Sequence, residues 1–388
     1  MKDQTAIVGL GQTEFSRNSG RPEQSLAAEA ILAAIRDAGL QPADIDGLVR
    51  YTSDNSATDV QLAANLGIPN LSYFGEVGHL GGAGCGTIAH AASAIVAGLA
   101  TYVVCYRAMN GRSGARFGRG YAFAGRPIDY PDLSEPFGII SPVHRWGFTA
   151  TRHMHQYGTT SEQFGWIAVT ARRHAAVNPN AIQKKPITIE EHQASRWIAY
   201  PHRILDMCLE SDGACAVVVG PAGRARDLRQ PPVYILGAAQ ASGMGGGEWL
   251  GRNWPYFSYT DVTWSEAALC ADAVYRMAGV TPADIDVAQL YDNFTSCVIV
   301  QLEEYGFCKK GEGGPFAAGG QNLTRGGAIP INTSGGMIAE AYVHGMNLVL
   351  EGVRQLRGTS TFQIEGAEIG LVTSGIPGTP TSALILRR

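Results

Sequence analysis

The 388-residue sequence predicts an α/β protein assembled from two related halves. Three observations carry that prediction. A helix, an Ala-Gly stop, a Pro-Ala-Asp-Ile-Asp turn and an apolar strand occur twice, in AILAAIRDAGLQPADIDGLVRY (Ala30 to Tyr51) and CADAVYRMAGVTPADIDVAQLY (Cys270 to Tyr291), with Pro42 and Pro282 offset by 240 positions. A glycine pair then opens a small-residue helix in each half: Gly81-Gly82 is followed by Gly98, and Gly335-Gly336 by Gly352, with a spacing of 17 from the first glycine in both. Finally, a composition of 45% hydrophobic and 16% charged residues suffices at this length for two domains or two fused halves of one.

The chain opens on a strand-like apolar run, TAIVGLGQ. The helix before Gly39 has apolar residues at helical spacing and the glycine as its C-cap, and the period changes to that of a strand after Asp46. The segment from about 109 to 208 has no counterpart in the second half. It begins loop-like, in NGRSGARFGRGYAFAGRP, and then reads as helices around Phe148 to Tyr157 and Ser161 to Val177, a loop subdomain over a site. SDGACAVVVGP (Ser211 to Pro221) is a buried strand closing the first half, so the division expected is 1–225 with the loop subdomain, then 226–388. In the second half Asn332 to Asn347 reads as a strand end, a Gly-Gly pair and a helix bearing Tyr342.

A formal charge of −4 argues against nucleic acid as a partner, because phosphate binding needs a basic face. No leader-like segment precedes the first strand and no apolar stretch approaches a membrane span. Seven cysteines (85, 105, 208, 215, 270, 297 and 308), an odd number without CxxC spacing, read as reduced thiols of a cytoplasmic protein. VGLGQTEF offers Gly9 and Gly11 as the start of a dinucleotide motif but has Glu14 at the third glycine position. His153 and His155 are separated by their i, i+2 spacing on a helix and lack further ligands, so a solvated or capping role is expected. Arg112, Arg116, Arg119 and Arg126 read either as a phosphate- or acid-binding cluster or as a solvated loop.

The combination of AIVGLGQTEF, ATRHMHQYGTTSEQFGWIA, SDGACAVVV, DVAQLYDNFT and NTSGGMIAEAYVHG resembles the thiolase superfamily, specifically the sterol-carrier-protein-type thiolases and thiolase-like lipid-transfer proteins. The resemblance spans nearly the whole chain. It implies the thiolase fold, two βαβαβαββ halves packed in five α-β-α-β-α layers, as a dimer. A thiolase needs a cysteine nucleophile at the N-terminus of its first buried helix, and here that position is Gly82. Cys85, three residues on, reads as a buried structural thiol. The family's HDCF- or NEAF-type residue matches Tyr291, its GHP histidine matches Tyr342, and its second cysteine matches Thr373, with the CxG glycine kept as Gly375.

This set of changes is similar to that of the thiolase-like aldolases that shorten steroid side chains. That resemblance implies retro-aldol cleavage of a β-hydroxyacyl-CoA to a ketone and a short acyl-CoA, with a DUF35-type OB-fold partner and no cofactor beyond the CoA of the substrate. The chemistry needs a base for the hydroxyl proton, a site for the thioester enolate oxygen and an acid for its carbon. Tyr291 is assigned as base and Tyr342 as acid, with the reverse left open. A phenol of reference pKa about 10 needs help to act as a base.

The amides of Gly82 and Gly375 are expected to form the oxyanion hole, and Asp292 and His344 complete the binding set. Asp292 has a turn or cap role as its alternative. His344, two residues past Tyr342 on a helix, is expected to point away from it as a structural or peripheral residue. His79 is a weaker polar candidate. The competing readings are a non-catalytic lipid- or acyl-CoA-binding or scaffold protein, and a residual thiolase working through Cys85.

Overall fold

The computed structural model describes residues 1–52, 57–78, 80–114, 116, 137–139, 141–242, 263–375 and 380–388; His79, Arg119 and Arg126 lie outside the described residues. The first half contains β1 (Thr5–Gln12), α1 (Glu23–Ala38), β2 (Gly47–Tyr51), α2 (Asp59–Leu66), β3 (Tyr73–Val77), α3 (Ala83–Val96) and β4 (Val103–Asn110). Then come α4 (Pro142–Tyr157), α5 (Ser161–Ala175), α6 (Ile189–Ala194), a small ribbon of β5 (Trp197–Ala199) and β6 (His202–Arg203), β7 (Asp212–Pro221) and α7 (Ala222–Ala225). The second half has β8 (Val233–Ala241), α8 (Glu266–Ala278), β9 (Val287–Gln289), α9 (Thr295–Glu304), α10 (Gly313–Ala317), α11 (Gly336–Ala339), α12 (Met346–Arg357), β10 (Ile369–Ser374) and β11 (Thr381–Arg387).

The repeat is real at the level of its local chemistry. α1 buries Leu26, Ala27, Ala30, Ile31, Ala34, Ile35 and Ala38, a single face at helical spacing, and ends at Gly39 with φ 79°. α8 repeats this with Cys270, Ala271, Val274, Tyr275 and Ala278, ending at Gly279 with φ 70°. Each is followed by a one-turn 3-10 helix, Pro42–Asp44 or Pro282–Asp284, and then by β2 or β9.

Period-2 alternation then sorts the strands into layers. On β7, Cys215, Val217 and Val219 enter the central core while Ala214, Ala216 and Val218 join the outer core under α1. On β11, Leu384 and Leu386 face the centre while Ala383 and Ile385 face the core under α8. The central core holds α3 and α12, so the order is helices, strands, α3 with α12, strands, helices. The strands form one hydrogen-bonded order, β3-β2-β4-β7-β1-β8-β11-β10-β9, the two halves meeting where Ala6 and Ile7 of β1 pair with Tyr234 and Val233 of β8. The second half's counterpart of β3 is reduced to a single parallel bridge, Ala288 to Ile331.

In keeping with Glu14 at the third motif position, Gly9 and Gly11 do not cradle a phosphate. A Cβ on either would lie 2.2 or 2.0 Å from the carbonyl oxygen of Ala34 or Ala30, so these glycines let α1 pack directly on β1. The second echo is out of register: Gly82 leads straight into α3, whereas Gly335 and Gly336 (φ 103° and 59°) start only the single turn of α11. The buried helix of the second half begins after Gly345, and the partner of Gly98 is Gly358, each with φ near 74°, while Gly352 is internal to α12 and packs on Val372. α4 begins six residues before the expected Phe148, at Pro142, which follows an extended Ser141 and suits a first helical turn. His153 is buried between Glu303 (2.9 Å) and Thr159 (2.8 Å) instead of being solvated, and His155 is exposed. α5 of the loop subdomain lays Phe164, Ile167, Ala168 and Ala171 into the core of the second half. All seven cysteines are free.

Candidate active site

Tyr291 follows β9 and is held by its own backbone. Its N–H donates to Thr373 Oγ1 (2.9 Å), its carbonyl accepts from Gln301 Nε2 (2.8 Å), and Thr373 in turn donates to Gln301 Oε1 (2.6 Å). Thr373 therefore acts here as a clamp on Tyr291. The ring lies in a slot walled by two glycines: a Cβ on Gly81 would sit 2.8 Å from both Cζ and the phenol oxygen, and one on Gly345 3.0 Å from the opposite edge.

Tyr342 arrives on an irregular segment between α11 and α12, bracketed by Ser211, whose Oγ accepts from its N–H (2.8 Å) and donates to its carbonyl (3.0 Å). The two phenol oxygens are 3.3 Å apart. Because this segment is not helical, the expectation that His344 points away from Tyr342 fails. His344 has φ 48°, and its ring is edge-on to Tyr342 at 4.8 Å and stacked on Tyr51 at 5.1 Å. Behind it, the fully buried Arg107 of β4 donates from Nε to His344 Nδ1 (3.2 Å) and from Nη1 to the Tyr51 carbonyl (3.3 Å).

Gly81, Tyr291, Tyr342 and His344 line a cavity of about 590 Å³ between the halves and the loop subdomain. One wall is aromatic and aliphatic, with Trp146 stacked on Phe294 (5.8 Å) and Ile198, Ile204 and Ile338 nearby. Arg17, Arg112, Arg116 and Arg172 also line it, Arg116 paired with Glu210 at 2.5 Å.

Of the six expected site residues, Tyr291, Tyr342 and His344 line the described cavity, and Gly82, Gly375 and Asp292 do not. Asp292 is fully buried and accepts from the amides of Met337 (2.8 Å) and Ile338 (3.2 Å), while a Cβ on Gly336 would lie 2.2 Å from its carboxylate. It anchors α11 and acts as a brace. Burial raises its pKa to about 6, against the lowering effect of those amides. Gly82 and Gly375 (φ 106°) converge on the same backbone, since a Cβ on Gly82 would be 2.0 Å from the carbonyl oxygen of Pro380 and one on Gly375 2.8 Å from Cα of Thr381. Cys85 sits inside α3, bonded to Ser374, with its thiol pushed up to about 12 by burial.

Both phenols are pushed well above their ordinary pKa by burial. For Tyr291 the neighbouring phenol, Cys208 and Asp292 push the same way. For Tyr342 Cys208 and Tyr51 push the same way, while the hydrogen bond shared with Tyr291 and the charge of Arg107 oppose the shift. Two coupled phenols in a largely apolar cavity can exchange one proton between them and with a substrate. Arg107, Tyr51 and Ser211 went unremarked in the sequence. Arg107 alone leaves a signal, as a charge on the inward face of the strand VVCYRAMN, and Ser211 and Tyr51 acquire their roles only through contacts distant in sequence. Among the described residues no group of three His, Cys, Asp or Glu could hold a metal ion, and no helix is long and apolar enough to cross a membrane.

Residues 252–388 match a family model described as thiolase C-terminal domain-like. The chain is 50% identical to a steroid side-chain-cleaving aldolase of Thermomonospora curvata, over 98% of this chain and 97% of that protein. It is 47% identical to a 17-hydroxy-3-oxo-4-pregnene-20-carboxyl-CoA lyase of Mycobacterium tuberculosis, over the whole of both. A solved structure titled Ltp2-ChsH2(DUF35) aldolase superposes with a TM-score of 0.91 at 48% identity, covering 100% of this chain and 98% of the other.

Proposed function

Because the chain belongs to the thiolase superfamily and is an aldolase within it, we propose that it cleaves the thioester side chain of a 17-hydroxy steroid acyl-CoA, using Tyr291 and Tyr342 as its proton-transfer groups. The observation that carries the site assignment is the pair of phenols, Tyr291 buried and Tyr342 partly buried, 3.3 Å apart on the cavity wall. In a 17-hydroxy pregnene-20-carboxyl-CoA the hydroxyl is β to the thioester. Removal of its proton forms the ring ketone, breaks the bond to the α-carbon and leaves an enolate. Protonation of that carbon releases a three-carbon acyl-CoA. The atoms balance with no oxidant, covalent intermediate or resident cofactor, CoA entering as part of the substrate.

The Trp146–Phe294 stack gives a flat apolar wall suited to fused rings, and the four arginines suit the phosphates of CoA. His344 replaces the amides of Gly82 and Gly375 as our candidate donor to the thioester oxygen, since it lines the cavity and they do not. The relative solved as a DUF35 complex supports a DUF35-type partner for this chain. We place a second copy of the chain on β3, an edge strand that among the described residues pairs only with β2 and exposes Phe74 at 61%. Free thiols throughout fit a reducing, cytoplasmic setting.

The test is turnover of 17-hydroxy-3-oxo-4-pregnene-20-carboxyl-CoA by the chain with its DUF35-type partner, following ketone and acyl-CoA together. Tyr291→Phe and Tyr342→Phe are each expected to lose at least about 100-fold in kcat, within the span of general acid–base contributions. Full turnover in both variants would overturn the assignment, and binding without turnover in the wild type would favour a carrier or scaffold.

A further inference from the structure

Arg107 occupies a position where a charge is costly. It is fully buried on the central face of β4, the face that also carries Val103, Cys105 and Met109. A guanidinium can only donate, so the Nδ1 of His344 that receives its Nε–H must carry the lone pair, and the neutral ring has its proton on Nε2. The guanidinium also lies 5.1 Å from the centroid of the Tyr51 ring, on which His344 stacks. His344 holds a left-handed backbone (φ 48°), followed by Gly345 at φ 80°, and that bend turns the imidazole back between Tyr51 and Tyr342. Local strain of this kind persists where surrounding contacts hold it, and here they are the contacts to Arg107 and the two tyrosine rings.

The two phenols are therefore not equivalent. Tyr342 faces Tyr291 from the segment after β9, Tyr51 from β2, the thiol of Cys208 from the segment before β7, its own neighbour His344, and the cation of Arg107 from β4. Tyr291 faces Tyr342 and Cys208, and has the carboxylate of Asp292 next to it. Arg107 approaches the pair on the Tyr342 side, through the His344 ring that lies against Tyr342 at 4.8 Å, while Asp292 is the chain neighbour of Tyr291, so of two oxygens sharing one hydrogen bond the negative charge is favoured on Tyr342.

We propose that Arg107 is a positioning residue that makes Tyr342 the general base and Tyr291 the general acid. This rests on the reading that these phenols carry the proton transfers, and it reverses the assignment first drawn from the sequence. The Tyr342 oxygen takes the β-hydroxyl proton, the electron pair of the broken carbon–carbon bond moves into the thioester enolate, and the Tyr291 hydroxyl protonates the α-carbon. The proton now on Tyr342 then returns to Tyr291 across the 3.3 Å hydrogen bond, restoring the resting pair.

Two measurements on the complex with the DUF35-type partner test this. The first compares pH profiles of kcat/KM for wild type, Arg107→Lys and Arg107→Met. Removing the charge is expected to move the alkaline-favoured limb upward by about one pH unit or more, with lysine retaining most of the wild-type position. The same change in a Tyr342→Phe background is expected to leave the residual profile in place. Loss of rate with an unmoved profile in Arg107→Met would make Arg107 merely structural and overturn the proposal.

The second measurement needs no substitution at 107. In a single turnover Tyr291→Phe is expected still to release ketone, with formation of the protonated acyl-CoA slowed, whereas Tyr342→Phe releases none. Ketone release by Tyr342→Phe and not by Tyr291→Phe would reverse the roles and refute the inference while leaving the tyrosine mechanism standing. Full activity of both would instead defeat the mechanism beneath it.

Discussion

Replacing Gly81 with alanine tests the site geometry through a single methyl group. A Cβ at 81 lies 2.8 Å from Cζ and the hydroxyl oxygen of Tyr291, where ordinary contact begins at 3.4 Å, so the phenol must retreat by 3.4 − 2.8 = 0.6 Å. Tyr291 is only 1% exposed, and its far edge already faces the backbone of Gly345, so the ring cannot swing freely. A shift of that size lengthens the 3.3 Å phenol–phenol contact to where hydrogen bonding fails, interrupting the proton path. Overpacking of this kind costs about 1–3 kcal/mol of stability. Misplacing a catalytic group by a comparable distance costs about 100-fold in rate. The assay is kcat/KM for the steroid thioester alongside thermal unfolding, with Gly223→Ala, whose Cβ meets nothing within 4 Å, as the control. A folded Gly81→Ala variant with undiminished kcat/KM would refute the placement of Tyr291 at the reacting atoms.

Two further outcomes follow from buried titratable groups. Glu340, held by Ser334 (2.8 Å), Asn178 (3.0 Å) and Asn347 (3.0 Å), has its pKa raised by burial from 4.5 to about 7. Its folded-state value is above the unfolded one, so its contribution is fully present below pH 4.5 and is lost as pH rises through 7, a swing of about 3 kcal/mol. Glu340→Gln should therefore gain melting temperature relative to wild type between pH 5 and pH 8, and a difference that is flat with pH would contradict this. Because its thiol is pushed up to about 12, Cys85 should resist iodoacetamide at neutral pH, and Cys85→Ala should keep its lyase activity; inactivation with loss of CoA-dependent acyl exchange would revive a residual thiolase.

The parts of the fold that were legible are those whose signals are local. The α1 and α8 units each combine a helical apolar stripe, a left-handed glycine and a proline turn within about 25 residues, and nothing distant overrides them. The spacing of 17 between glycines misled because spacing says nothing about what a glycine admits. Gly335 makes room for Ala175 of α5, and Gly336 for the Asp292 carboxylate, both far away in sequence. That same error put His344 on a helix that does not exist and hid its place beside Tyr342. The two tyrosines were singled out through their match to family positions, whereas Arg107 and the Trp146–Phe294 wall come to lie beside the cavity only when β4, α4 and the segment after β9 are brought together by folding.

The glycine at the position of a thiolase nucleophile is more than a lost thiol. Simple loss would leave a small void at the start of α3, which Gly82→Cys would refill. Instead, a Cβ there would lie 2.0 Å from the Pro380 carbonyl oxygen and 2.7 Å from its carbon, and Ser382 Oγ donates to the Gly82 carbonyl at 2.5 Å. The backbone entering β11 has occupied the space, with Gly375 at φ 106° allowing its approach from the other side. Backbone cannot yield as a flexible side chain does, so Gly82→Cys should cost stability on the overpacking scale of about 1–3 kcal/mol or more and restore no acyl exchange. A stable Gly82→Cys protein that exchanges acyl groups with CoA would show the cysteine site to be intact and the change of chemistry to rest on one residue. The packing of Pro380 and Thr381 predicts the opposite: the path back to thiolysis requires moving a strand entry, and the proposed phenol pair lies in a site whose matched nucleophile position has been closed.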